Sequence, residues 1–224
     1  AGQTATSNYA YYTLKRAIST VSDPEFVECN LITIPGLTEP SLTTELITVC
    51  EARGDALGLI DIPNVYTPFT ENALAPSTRY GTVQSAVSSL KSRQLNTSYG
   101  CTYYPWVRIK DTIKGNLLWA PPSVAILGTL ATSEEKSAVW FAPAGFNRGG
   151  LGVNSAIPVE DVSERLTSKD RDVLYEANIN PIAKFPSEGI VVFGQKTLQR
   201  TRSALDRINV RRLMIYLKKE ISYI

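Results

Sequence analysis

CNLITI (29–34) and LGLIDI (57–62) are the two stretches that decide the fold. Both are short, apolar and closed by proline, at Pro35 and Pro63. A run of this length bounded by turn residues reads as a buried strand. Between them, LTTELITVCEAR (42–53) carries Leu42, Leu46, Val49 and Ala52 at helical spacing. Ser41 stands where a cap is expected, with Glu45 placed to close a capping box. Gly54-Asp55 would end the helix. Strand, helix and strand in such close order predict a right-handed crossover and a parallel sheet.

The alternation continues outward. Residues 8–20 read as a short helix, and Asp23-Pro24 as a turn. A polar loop over 64–78 precedes a helix over roughly 79–94, with Val83, Val87 and Leu90 on one side. A third strand over 99–109 is rich in Tyr and Trp, with Pro105 marking a bulge or edge. Pro121-Pro122 opens a helix to about Val139. A glycine-rich segment (142–152) and a polar helical stretch (roughly 159–177) follow. Residues 182–185 and 190–194 make a hairpin through PSEG (186–189), and a long helix runs from Ser203 to the end. The predicted class is α/β: a mixed, largely parallel sheet flanked by helices, with a β-hairpin and a long C-terminal helix. Residues 1–202 are expected to form the core domain, and 203–224 the C-terminal helix that starts a second one.

Composition narrows the chemistry. The 224 residues are 43% hydrophobic and 20% charged, with a net charge of only +2, too little for a surface that tracks nucleic acid throughout. There is no histidine, which removes Ser-His-Asp and Cys-His nucleophile systems and His-ligated metals. Cys29, Cys50 and Cys101 are too far apart for a C-x-x-C pair and read as small buried hydrophobes. No apolar run approaches the ~18 residues of a membrane span. No catalytic residue, cofactor or metal site is therefore expected. The glycine-rich segment lacks both phosphate-loop spacings and reads as a tight surface loop with positive-φ glycines. Asp61, at a strand end, reads as a cap or salt-bridge residue, since no base or metal partner accompanies it. The mixed charges around 165–176 read as a solvated helix face.

One feature is asymmetric. Arg200 to Lys219 holds seven basic residues and one acidic, +6 against −4 for the rest of the chain. At 100° per residue Arg207, Arg211 and Lys218 share a stripe, with Val210, Leu213, Met214, Leu217 and Ile221 opposite. These three are the candidate interface residues: a half-buried helix with such a stripe could face nucleic acid, an anionic membrane or an acidic protein, and the narrow stripe without interleaved aromatic residues favours the protein surface. The competing reading pairs them inside the subunit.

The segment DRDVLYEANINPIAKFPSEGIVVFGQKTLQ (170–199), followed by SALDRINVRRLMIYLKKEI (203–221), resembles the sheath proteins of contractile phage tails. Ile34-Pro35-Gly36, Leu59 to Pro63, and Pro143 to Gly145 before Arg148-Gly149 are similar to the same family. The resemblance implies a structural protein and not an enzyme. Its subunits stack as rings around a tail tube and contract to drive the tube through the host envelope for genome delivery. It implies other sheath subunits and the tail tube protein as partners, and the virion tail as location, after assembly in host cytoplasm. It implies no small-molecule substrate, no direct nucleic-acid contact and no membrane insertion. The family core has been likened to a subtilisin-type α/β fold, but without histidine that likeness carries no protease activity. The single methionine, Met214, and the uncapped last helix suggest a fragment lacking the N-terminal and extreme C-terminal parts. Such a fragment is expected to be a monomer or weak oligomer. Two alternatives stay open: a sheath subunit of a non-phage contractile injection system, and a degenerate α/β hydrolase-like enzyme.

Overall fold

The computed structural model describes residues 7–63, 82–111 and 113–222. A five-stranded sheet runs in the order β1 (Leu31–Thr33), β2 (Leu57–Ile60), β3 (Gly100–Tyr104), β7 (Asn180–Phe185), β8 (Gly189–Val192). The first four are mutually parallel, and β8 returns antiparallel as the expected hairpin. A second, antiparallel sheet has the order β5 (Leu117–Ala120), β4 (Val107–Lys110), β6 (Val159–Val162). Six α-helices complete the described residues: α1 (Tyr9–Thr20), α2 (Pro40–Arg53), α3 (Val83–Lys91), α4 (Pro122–Lys136), α5 (Ser168–Glu176) and α6 (Ile208–Ser222). The mixed α/β class stands.

Alternation along the strands divides the core in two. Ile60 and Ile62 join Leu42, Leu46, Val87 and Leu174 in a cluster under α1, α2, α3 and α5. Leu57 and Leu59 face the other way, onto Ile126 and Leu130 of α4 and Ile208 and Ile215 of α6. Each of these side chains, fully buried, contributes about 1.5–3 kcal/mol. The C-terminal helix thus packs into the same core as residues before 203.

Several expectations need correcting. Helix α2 starts at Pro40, which suits a first helical position, and Glu39 is its N-cap; the Ser41 and Glu45 capping box does not form. Its end is as read, with Gly54 at φ +68 donating to the Cys50 carbonyl. The strand over 99–109 is two strands in two different sheets, because the chain turns at Tyr104-Pro105-Trp106. Residues 159–162 are not helical. They pair with β4, where Asp161 bonds Lys184 at 3.0 Å, and the helix starts only after Thr167, in a capping box with Asp170. Strand β5 was not foreseen. The long helix from Ser203 is broken: Ala204–Asp206 is a 3-10 turn, and Arg207 is extended so that Ile208 can donate to Gln195. The polar loop expected at 64–78 lies outside the described residues.

The glycine-rich segment does more than turn. Gly145 has φ +81, but the other glycines of the segment have no positive φ. Residues 149–151 lie along β8, with Val192 donating to Gly149 and Leu151 to Ile190 at 2.7 and 2.8 Å. That covers the sheet edge. A Cβ on Gly149 would sit 2.6 Å from the Val192 carbonyl oxygen, so the close approach requires glycine there.

The cysteines are free, and Cys50 and Cys101 are wholly buried. Burial, then the neighbouring Cys29, pushes the Cys50 thiol up to about 12. Burial raises Cys101 as well, and Cys29, half-buried, less deeply so. Iodoacetamide at pH 8 is therefore expected to modify only Cys29 in the native protein, and slowly. Mass spectrometry should find Cys50 and Cys101 alkylated only after unfolding; their rapid native labelling would contradict this packing.

Candidate functional site

Among the described residues no group of three or more His, Cys, Asp or Glu side chains could hold a metal. Asp61, the one carboxylate that invited a catalytic reading, is a structural cap. It is 1% exposed and accepts from the Gly36 amide at 2.9 Å, the Ser123 amide at 3.2 Å and the Ser123 hydroxyl at 2.7 Å. Helix α4 opens with Pro121 and Pro122, which offer it no side-chain cap. Asp61 supplies that cap from across the sheet.

The charged end of the chain carries the remaining candidates. Arg211 and Lys218 do share a face of α6, as the period requires, but both side chains bond within the subunit. Arg211 is buried, donates to the Ser98 hydroxyl and stacks its guanidinium 4.0 Å from the Tyr99 ring centroid. Burial holds its guanidinium below the ordinary value. Lys218 donates to the Arg53 carbonyl, at the C-terminus of α2, at 3.3 Å. A cation there complements the helix dipole. Arg207 precedes the helix, donates to the Tyr175 hydroxyl and pairs with Asp206 at 3.2 Å. The three therefore do not form one outward stripe. An exposed apolar stripe does run along the helix, with Met214, Leu217 and Ile221 at 47%, 41% and 68% exposure. Arg212, not singled out from sequence, is buried and reaches Glu134 at 2.6 Å.

Around Arg207 lies a basic cavity of ≈ 510 Å³. Its walls include Tyr175, Lys196, Arg200, Arg202 and Arg207, against Glu176 and Asp206. The Lys196 ammonium sits 4.1 Å over the Tyr175 ring and donates to the Tyr175 carbonyl at 2.8 Å. Burial, then the adjacent Arg207, lowers its affinity for a proton. Repeated positive charge with few carboxylates can bind an anionic group.

A family model described as the phage tail sheath protein central domain matches residues 12–198. The chain belongs to this family. The sheath domain is 44% identical over 105 residues to the tail sheath protein of Vibrio phage KVP40, covering 46% of this chain and 15% of that protein. It is 37% identical over 103 residues to that of Enterobacteria phage T4, with the same coverage of 46% and 15%. The tail sheath protein of Salmonella phage ViI is 32% identical over 142 residues, 63% of this chain and 22% of that protein. The chain thus spans roughly a sixth to a fifth of the curated relatives it matches. Among solved structures, the contracted helical sheath of the anti-feeding prophage superposes with a TM-score of 0.62 at 25% identity, over 99% of this chain and 52% of that one. The contracted sheath complex of an extracellular contractile injection system, PVC, superposes at 0.66 over 92% and 50%; at 22% identity it supports the fold alone. The family resemblance read from residues 170–221 is therefore upheld, and the relatives are structural sheath proteins.

Proposed function

We propose that this chain is the central part of a subunit that polymerises as stacked rings around a phage tail tube, contracts, and drives the tube through the host envelope. The single observation behind this reading is the family match across 12–198, together with relatives from phage tails. The subunit works without catalysis: its functional groups are packing surfaces and charges. Two fully buried clusters on either face of one sheet make a body that moves as a unit, and many weak contacts between such bodies make a cooperative two-state assembly.

The candidate residues divide by position. Arg207 borders the basic cavity and serves contact between subunits. Lys218, whose side chain is exposed, serves the tail tube. Arg211 acts from inside by fixing α6. The apolar stripe of Met214, Leu217 and Ile221 is covered by the further sheath domain that residues 203–224 introduce; this chain's small share of its relatives leaves ample sequence to do so.

Electron microscopy of the full-length protein, expressed with and without its tube protein, tests the reading. Regular hollow tubes, or striated sheaths on tubes, are expected. Dispersed subunits beside well-formed tubes would overturn it.

A further inference from the structure

The basic cavity continues into a second one of ≈ 400 Å³, sharing Glu176, Asn178 and Arg200 with it. Leu90, Leu95, Ala177 and Leu198 form the apolar part of the second, beside Lys91 and Gln94. The joint groove is therefore greasy at one end and cationic at the other. Lys196 and Arg207 are occupied with Tyr175. Arg200 and Arg202 are exposed, and among the described residues no carboxylate lies within ion-pair distance of either.

The complement lies on the same chain. DPEFVE (23–28) carries three carboxylates around Phe26, which is 76% exposed. The turn is held in shape. Asp23 accepts from the Glu25 amide at 2.9 Å, and the buried Arg53 donates to the Val21 and Val27 carbonyls on either side. Lys219 partly offsets Glu28 at 3.7 Å, which leaves Asp23 and Glu25 facing outward.

Helix α6 fixes where the two features sit. Arg207, just before it, borders the groove, and Lys219, near its end, donates to the Cys29 carbonyl beside the acidic turn. Twelve residues at 1.5 Å each put the two about 18 Å apart. The helix dipole has the same sense, positive at the groove and negative at the turn. One subunit therefore carries opposite poles at opposite ends of a rigid strut.

We infer that the acidic Asp23–Glu28 turn of one subunit docks in the basic groove of a second copy, Phe26 on its apolar part and Asp23 and Glu25 against Arg200 and Arg202. The contact is head to tail, and such heterologous contacts build rings or helices, not closed pairs. It rests on the sheath reading and names one of its subunit interfaces.

Charge exchange in the full-length protein tests it. Arg200→Glu with Arg202→Glu is expected to raise the concentration needed for assembly by about tenfold or more at physiological salt, and so is Asp23→Lys with Glu25→Lys. A mixture of the two variants should recover assembly by strict alternation, since each acidic turn then meets a basic groove and each lysine-bearing turn an acidic one, and all four changes in one chain should restore assembly as well. Circular dichroism should match wild type, and thermal melts should fall only by the small cost of the Asp23 turn bond, since all four side chains are exposed. Unchanged assembly in either double variant overturns the inference, and so does a quadruple variant no better than the doubles, which would give the groove a different partner. Wild-type protein that never assembles would instead refute the sheath reading itself.

Discussion

Replacing Arg53 by methionine is expected to destabilise the domain by about 3–5 kcal/mol. Its side chain is 0% exposed and grips Asp55 with two bonds, at 2.8 and 3.0 Å. The remaining donors satisfy the Val21 and Val27 carbonyls. Methionine fills much of the same volume, so the loss is not mainly a cavity. It leaves Asp55 buried without a partner and two carbonyls without donors. Arg53→Lys keeps the charge but not the fork, and should lose less, though still more than about 1 kcal/mol. Denaturant melts should show the midpoint fall with little change in slope, and the melting temperature drop by roughly 10 °C. A loss under about 1 kcal/mol for Arg53→Met would mean that the pair contributes nothing net. Because Arg53 also holds the acidic turn, assembly should suffer beyond what stability explains.

Asp61→Ala is the second large effect, expected at about 3 kcal/mol. Three donors lose their acceptor at once, two of them from Ser123 in the first turn of α4 and one from Gly36. Asp61→Asn retains one acceptor oxygen and should cost about half as much. The pH dependence has a definite sign. Burial is the dominant influence and raises the carboxyl above its ordinary value, against the opposing bonds from Ser123 and Gly36. The folded form thus takes up a proton before the unfolded form does. This group's contribution is fully present below the unfolded value near 3.8 and is lost as pH rises through the folded one. The penalty for Asp61→Ala should accordingly be larger at pH 4 than at pH 7. Urea melts of both proteins at the two pH values measure it, and a penalty that shrinks on acidification would contradict the assignment.

How much of this was legible in the sequence depends on where the determining force acts. The β1-α2-β2 unit was readable because its signals are local: apolar runs, prolines after them, and a glycine in the left-handed region at position 54. VEDV (159–162) was not, because its strand state comes from pairing with β4 and from Lys184 and Arg108 on Asp161, all distant in sequence. Strand β5 was missed for the same reason, as it exists only against β4. At the candidate site the helical period put Arg211 and Lys218 on one face correctly. How Arg211 is turned is decided by Tyr99 and Ser98, more than a hundred residues earlier, which charge alone does not show. The groove at Arg200 and Arg202 was visible only as excess positive charge, since its apolar part is assembled from α3, α5 and Leu198.

The anchoring of α6 bears on how load would pass through the subunit. Along its length the helix is pinned by side chains to Ser98, Glu134, the Arg53 carbonyl and the Cys29 carbonyl, points spread over most of the chain. A pull or push entering at its C-terminal end would strain these attachments side by side and not one after another. Attachments loaded in parallel share the force, so each bears only a fraction of it. A domain braced in this way can transmit a sudden displacement as a stiff lever does, without its own joints giving first.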